Sequence, residues 1–244
     1  VFDEFGFPLN FFVITGLLDE QLWPWDDQIA HAVNHTKISA IDLQLPFGGK
    51  YSVNLAEISV RRTIREIRNA LKVVNQEHIY QWLGAELYPK LEVDFPDTIP
   101  REYRPMSWDD ARSLKKRGHG VYPHTCSHRI LSTLTLEEKQ HEIHEARKRV
   151  EQELADCPDV FAYPTGRPSD YDRADIEEVK RAGFKMAFNT VPDYIRAGCS
   201  QYELPRFSLP ENTADFLQIV NRFEALKEKV PRQPNLSRSF LPTR

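Results

Sequence analysis

From Ser107 to Asn189 the chain repeats one punctuation: a capped helix, a stop, a strand-sized apolar run. Ser107 with Asp110 and Thr135 with Glu138 have the spacing of a capping box, and Asp172 with Asp175 opens a third helix. Gly118 and Gly183 close two of these helices. The runs that follow are His119–Pro123, Val160–Tyr163 and Phe184–Asn189, with Leu204–Phe207 as a further short strand. Such alternation is the pattern of parallel strands joined by helical crossovers. The C-terminal ends of parallel strands gather a single rim, so polar clusters just past successive strands can share one site.

The first part of the chain is less regular. Val1–Gly6 reads as the last turn of a helix, with Gly6 as its left-handed stop. Leu9–Thr15, a nearly continuous apolar run, reads as a strand buried on both faces. A helix end feeding a buried strand implies that another strand precedes it. Residues 17–105 then break the alternation. A short helix over Asp26–Asn34 leads to a hairpin, with Ile41, Leu43 and Leu45 alternating up to Gly48-Gly49 and Tyr51, Val53 and Leu55 alternating after it. Val60, Ile64, Ile67, Leu71 and Val74 mark an amphipathic helix, and Glu77–Leu87 a second. We read 17–105 as an insertion of hairpin plus helices. Asp215–Lys227 makes a final helix, and the proline-rich, basic stretch 231–244 reads as a disordered tail.

Composition narrows the class. The 244 residues are 41% hydrophobic and 28% charged, which fits one globular domain with a sizeable core. A net charge of −4 gives no reason to expect a nucleic acid or an anionic membrane as partner. Three scattered cysteines imply no disulfide framework. No apolar run approaches the ~20 residues of a membrane helix.

His124 and His128 carry the chemistry. They lie four apart on the loop after the strand His119–Pro123, where one turn of chain can aim both imidazoles at one ion. The spacing alone is a common accident on a loop, and the neighbourhood strengthens it. His124-Thr125-Cys126-Ser127-His128 resembles the His-Ser/Thr-x-x-His metal motif of the NodB-homology polysaccharide deacetylases, carbohydrate esterase family four. Phe161-Ala162-Tyr163-Pro164-Thr165-Gly166 is similar to that family's groove motif, and LNFFVITG to its second barrel strand. The resemblance spans about residues 1–208 and implies a distorted (β/α) barrel. It also implies a divalent metal, zinc by preference, held by two histidines and an aspartate. Such an ion polarises the acetamide carbonyl and lowers the pKa of its water towards ~7. The backbone N–H of Tyr163 is the implied oxyanion donor.

Three departures accompany the resemblance. The family's Asp-Asp motif, which supplies a ligand and the base, has no counterpart, and Phe2-Asp3-Glu4 abuts Gly6 without room for the intervening helix. Its strand and helix would take roughly 20–30 upstream residues. No histidine follows His144 to serve as the late general acid, and Ala162 replaces the arginine of the groove motif; Arg206 could stand in as its partner for the missing aspartate, but reads first as a surface arginine at a strand end. His141-Glu142-Ile143-His144 has the wrong spacing for a zinc motif and reads as a solvated helix face. Cys126 reads as filler, His119 as packing at its strand start, and Asp26 as a helix N-terminal residue.

The sequence therefore predicts an α/β fold: a deacetylase-type barrel over 1–230, incomplete at its N-terminus, with 17–105 inserted. The expected function is metal-dependent removal of N-acetyl groups from a polysaccharide or oligosaccharide. Metal ligands are His124 and His128; substrate and oxyanion contacts are Tyr163, Pro164, Thr165, Gly166 and Arg206; the base is expected upstream of Val1. The alternatives are another non-peptide amide hydrolase on the same fold, or a catalytically inactive carbohydrate-binding relative.

Overall fold

The computed structural model describes residues 2–72 and 76–222. Val74, the end of the helix expected at Asp215–Lys227, and the tail 231–244 lie outside the described residues.

A 3-10 turn, Asp3–Phe5, precedes strand β1 (Asn10–Val13) and the one-turn helix α1 (Thr15–Leu18). Next come helix α2 (Trp25–His35), hairpin strands β2 (Ala40–Gln44) and β3 (Lys50–Asn54), and helix α3 (Val60–Leu71). Helices α4 (Glu77–Trp82) and α5 (Tyr88–Lys90) are joined by a π turn, Leu83–Leu87. The regular part follows as α6 (Trp108–Lys116), β4 (Gly120–Pro123), α7 (Leu136–Leu154), β5 (Val160–Ala162), α8 (Arg173–Arg181) and β6 (Met186–Phe188). Helix α9 (Thr213–Val220) is the last described element.

Local chemistry sets the helix starts. Ser107, Thr135 and Asp172 each accept the N–H three residues on, while Asp110, Glu138 and Asp175 reach back to the cap N–H. Each box satisfies two donors that a bare helix end leaves unpaired. Asp19 joins α1 to the later helices: it accepts Trp108 Nε1 at 2.7 Å and Arg149 Nε at 2.8 Å. The Arg149 guanidinium holds the Asp19 carboxyl below the usual range, despite partial burial.

Strands β1 and β4 pair in parallel, from Asn10 opposite Gly120 to Val13 opposite Pro123. Strands β5 and β6 pair in parallel from Val160 opposite Met186 to Ala162 opposite Phe188, and Phe188 bridges Leu204 in the same sense. The backbone ladders thus form three separate two-stranded sheets, the hairpin included, and no closed barrel is traced among the described residues. Strands of three and four residues run out before a second neighbour can pair along them. Between β4 and β5 the link is a side chain: His124 Nδ1 donates to Ala162 O at 2.6 Å.

Several expected elements are shorter than their patterns. Strand β1 stops at Val13, and Thr15 already belongs to α1. Phe11 and Phe12 are only half-buried, so β1 is not covered on both faces as its apolar run suggests. The expected strand at Leu204–Phe207 reduces to the Leu204 bridge, because Arg206 N–H turns away to Val191 O. The N-terminal helix end is a lone 3-10 turn.

The stretch 25–91 builds a core of its own. Ile29, Ile41, Leu43, Ile67, Leu83 and Leu87 are fully buried against one another there. A second core lies between α7, α8 and the strands β5 and β6, around Ile143, Phe161, Val179 and Phe184. A third, around Val13, Trp108, Val121 and Val150, seals β1 and β4 against α6 and α7.

Candidate active site

The loop after β4 is shaped by its backbone before any side chain acts. Thr125 and His128 both take positive φ, at 66° and 59°, values that a residue with a Cβ adopts only when its surroundings impose them. Three groups of contacts impose them. Thr15 N–H and Gly16 N–H donate to Thr125 O at 3.2 Å and Cys126 O at 2.9 Å, locking this loop to the one after β1. A Cβ on Gly16 would sit 2.6 Å from Cys126 O, so only glycine allows that approach. His128 N–H donates to Thr125 Oγ1 at 3.0 Å. From α7, Glu142 Oε2 accepts the N–H groups of Cys126 and Ser127, each at 2.9 Å, and Glu142 Oε1 accepts the Ser127 hydroxyl.

That scaffold brings His124 and His128 together, with ring centroids 4.9 Å apart. A carbonyl oxygen only accepts, so the bond to Ala162 O places the His124 proton on Nδ1 and leaves Nε2 with its lone pair. Burial lowers the His124 pKa to about 3, with the neighbouring His128 and Arg206 acting in the same direction. Burial lowers that of His128 too, against the opposing pull of Asp26. Both rings are therefore neutral at ordinary pH, the form in which imidazole binds a metal. The two nitrogens fit part of a divalent metal site. Among the described residues no group of three or more His, Cys, Asp or Glu is arranged to hold an ion, so the remaining ligands are not supplied there.

The groove motif begins inside β5 at Phe161 and includes Ala162, whose carbonyl holds His124; Tyr163–Gly166 follow the strand. Tyr163 is fully buried: its ring stacks on Tyr171 at 4.1 Å and its hydroxyl donates to Tyr202 O at 3.0 Å. Its backbone N–H, the donor expected for an oxyanion, is engaged with Phe188 O at 3.1 Å because it continues the β5–β6 ladder by one rung. Pro164 is buried, and the turn beyond it is organised by Asp170, which accepts the Thr165 hydroxyl and the Arg167 N–H. Thr165 and Gly166 both have positive φ, and Thr190 N–H and Oγ1 donate to Gly166 O and Thr165 O at 2.8 Å each. Arg206 is not a free surface arginine. Its Nε donates to Asn189 O at 2.9 Å and its guanidinium lies 5.4 Å from the centre of the Phe12 ring, itself 6.4 Å from the His124 ring.

Glu142 is the residue that the sequence reading missed. It lies in the stretch read as a solvated face, yet it is 3% exposed. The buried positions of α7, Lys139, Glu142, Ile143, Ala146 and Val150, recur at three and four, so the inward stripe already passed through Glu142. His141 is exposed, and His144 pairs with Glu178 at 3.4 Å, so neither joins the site. The Cys126 thiol is pushed up to about 12 by burial and the nearby Glu142, which leaves it inert. His119 is buried at its strand start, with Nε2 2.7 Å from Asp3.

Comparison with known proteins identifies the family. The family model for polysaccharide deacetylase matches residues 1–187. No curated protein matches the chain. Among solved structures it is similar to the Streptococcus pyogenes deacetylase PplD in complex with acetate, at 20% identity and TM-score 0.44 over 49% of this chain and 52% of that one. A de-N-acetylase from Aggregatibacter actinomycetemcomitans matches at 11% identity and TM-score 0.42, over 52% of this chain and 58% of the other. IcaB from Ammonifex degensii matches at 15% and 0.40, over 55% and 64%. The chain thus spans less than two thirds of each of these structures, and at such TM-scores the family assignment rests on the family model, which covers most of the chain: the chain belongs to the polysaccharide deacetylase family.

Proposed function

We propose that the chain is part of a hydrolase that removes N-acetyl groups from an N-acetylated polysaccharide or oligosaccharide, using a divalent metal, zinc by preference, at His124 and His128. The observation that carries this reading is the pair of neutral imidazoles, 4.9 Å apart, on a loop clamped from β1, β5 and α7. A bound divalent ion supplies Lewis-acid polarisation of the acetamide carbonyl and acidifies water at neutral pH. The chain's own residues do the positioning. Ala162 O fixes which His124 nitrogen is basic, Glu142 fixes the loop between the two rings, and Arg206 brings positive charge beside His124. Thr165 and Gly166 shape the turn where the sugar would lie; the Tyr163 N–H would become an oxyanion donor only by leaving Phe188 O.

The same reading makes the two parallel strand pairs neighbouring staves of a (β/α) barrel over 1–230, with 17–105 as an insertion carrying its own core. The test is acetate release from N-acetylglucosamine oligomers with added zinc, cobalt or nickel, using the chain and its His124→Ala and His128→Ala variants. Metal-stimulated release that both substitutions abolish supports the assignment. Release that ignores both substitutions sinks the assignment.

A carbohydrate-binding protein without catalysis is the second reading. Its supporting observation is that the described residues hold no third group for a metal. Oligomer binding with no acetate release under any of the three metals would favour it.

A further inference from the structure

The four-residue histidine spacing occurs a second time, on helix α2. His31 and His35 both belong to that helix, where positions i and i+4 are neighbours on one face. Their rings face each other, with centres 4.2 Å apart and planes tilted by 30°. The His31 ring packs among Trp23, Tyr88 and Tyr103, away from the loop that carries His124 and His128.

The hydrogen bonds of the two rings fix where their protons lie. His35 Nδ1 is 2.8 Å from His31 O, and a carbonyl only accepts, so His35 carries its proton on Nδ1. The Tyr88 hydroxyl gives its one proton to Gln28 O at 3.2 Å. Its bond with His31 Nδ1, at 3.3 Å, therefore takes the proton of that nitrogen. Each ring is left with a lone pair on Nε2, the form in which imidazole binds a metal. His31 is 7% exposed, yet its Nε2 is not one of the shielded side-chain atoms without a partner, so solvent reaches it. His35 is exposed. Trp23 at 5.4 Å, Tyr103 at 6.0 Å and Tyr88 at 6.1 Å wall the His31 ring and keep it from turning away. Glu102, on the 3-10 turn Arg101–Tyr103, is near enough for its charge to act on that ring.

We propose that His31 and His35 form a second metal site, which takes one borderline transition-metal ion, such as zinc or nickel, through their two Nε2 atoms. Imidazole suits these ions, whereas magnesium and calcium need oxygen ligands. With the ring centres already 4.2 Å apart, a small swing of the exposed His35 ring brings both nitrogens to one ion. Among the described residues no third His, Cys, Asp or Glu is arranged beside them, so water fills the other positions. Tyr88 acts behind the ligands, holding His31 in the tautomer that presents Nε2. Glu102 adds favourable charge, so the bound ion draws the turn Arg101–Tyr103 onto the last turn of α2. The site is independent of the deacetylase reading.

The test uses the full chain with zinc and nickel ions as probes, followed by calorimetric titration and by NMR of the imidazole nitrogens. The titration is run in a variant carrying both His124→Ala and His128→Ala, which sets the first site aside. One ion is expected to bind there and to move the Nε2 signals of His31 and His35. Adding His35→Ala should abolish that binding, while His78→Ala, at an exposed histidine elsewhere, should change nothing. An unaltered metal-free unfolding midpoint in His35→Ala separates a lost ligand from a lost fold. Tyr88→Phe releases the His31 tautomer and should weaken binding about tenfold, the low end for an outer-shell partner. Glu102→Gln should weaken it about two- to fivefold, as for an exposed charge. The proposal is overturned by no ion in the double-alanine variant, by binding that survives His35→Ala, or by a metal-free proton on Nε2 of either ring. Acetate release is measured in parallel with His124 and His128 intact. Release without a His35-dependent ion removes this site alone; a His35-dependent ion without any release removes the deacetylase reading and keeps this site.

Discussion

Glu142 on α7 accepts the backbone N–H of Ser127 at 2.9 Å, and through that contact a helix carboxylate fixes the loop between two histidines it never touches. The same oxygen also takes the Cys126 N–H, so one buried side chain satisfies two donors of a loop held at positive φ.

Replacing Glu142 should therefore cost stability first and chemistry second. Glu142→Ala leaves two amide donors and a hydroxyl without their acceptor, a loss of about 2–4 kcal/mol by the usual worth of bonds to a charged group. Glu142→Gln keeps one acceptor oxygen and should cost roughly half as much. Urea unfolding midpoints measure both. If Glu142→Ala unfolds at the wild-type midpoint, the carboxylate does not hold the loop.

Gly16 gives a second, independent handle on the same loop. A methyl at Gly16 would meet Cys126 O at 2.6 Å, with backbone on both sides, so neither partner can simply rotate away. Gly16→Ala should destabilise by about 1–3 kcal/mol, the cost of overpacking. It should also perturb the His128 imidazole signals in NMR spectra, since the Thr125–Cys126 backbone must shift. Unchanged histidine shifts would show that the β1 loop does not set the histidine geometry.

These two residues mark where the sequence was legible. Capping boxes announced α6 and α7, and α7 runs over Leu136–Leu154 as its pattern reads, because cap chemistry is local. That His124 and His128 would meet was legible from their spacing only together with the motif around them; their rings lie 4.9 Å apart. Glu142 was not, since a charged residue reads as solvated until the fold reveals backbone donors waiting for it. The engagement of Tyr163 N–H with Phe188 O was equally hidden: it depends on the register between β5 and β6, which no local signal sets. Strand ends failed for the same reason. The apolar run at Leu9–Thr15 overstates β1, because Thr15 gives its N–H to Thr125 O while opening a helix.

Acid should unfold the protein through its histidines. The folded pKa of His124, about 3, lies below the 6.5 of a free histidine, so the unfolded chain binds more protons. Stability is then complete above pH ~6.5 and falls as pH drops from there towards ~3, by about 2 kcal/mol at pH 5 from this one group. His128 is shifted in the same direction. Asp27 works against this trend. Burial and the adjacent Asp26 raise its pKa from 3.8 to about 6, so its contribution is complete only below pH 3.8 and is lost as pH rises from there to about 6, and a side chain 36% exposed makes that contribution small. The measurement is the urea midpoint across pH 4–8 for wild type and His124→Asn. Parallel profiles for the two would mean that His124 titrates in the fold as it does in water.

Arg206 sets how hard the proton is to place on His124. Its guanidinium is fixed twice, by Asn189 O at 2.9 Å and by the Phe12 ring at 5.4 Å, and that ring lies 6.4 Å from the His124 imidazole. Burial lowers the pKa of Arg206, yet arginine stays charged at any pH of interest. Arg206→Gln removes that charge and a cation–π contact worth about 0.5–2 kcal/mol, so a modest loss of stability is expected. The informative readout is the His124 titration followed by NMR. With the positive neighbour gone, its pKa should rise, while Arg206→Lys should hold it near the wild-type value. A proton and a metal compete for the same Nε2 lone pair, so zinc-induced thermal stabilisation should then fade at a higher pH in Arg206→Gln than in wild type. If His124 titrates identically in both variants, Arg206 serves only to pin the chain after Leu204 against β1, and the charge beside the histidines plays no part in tuning them.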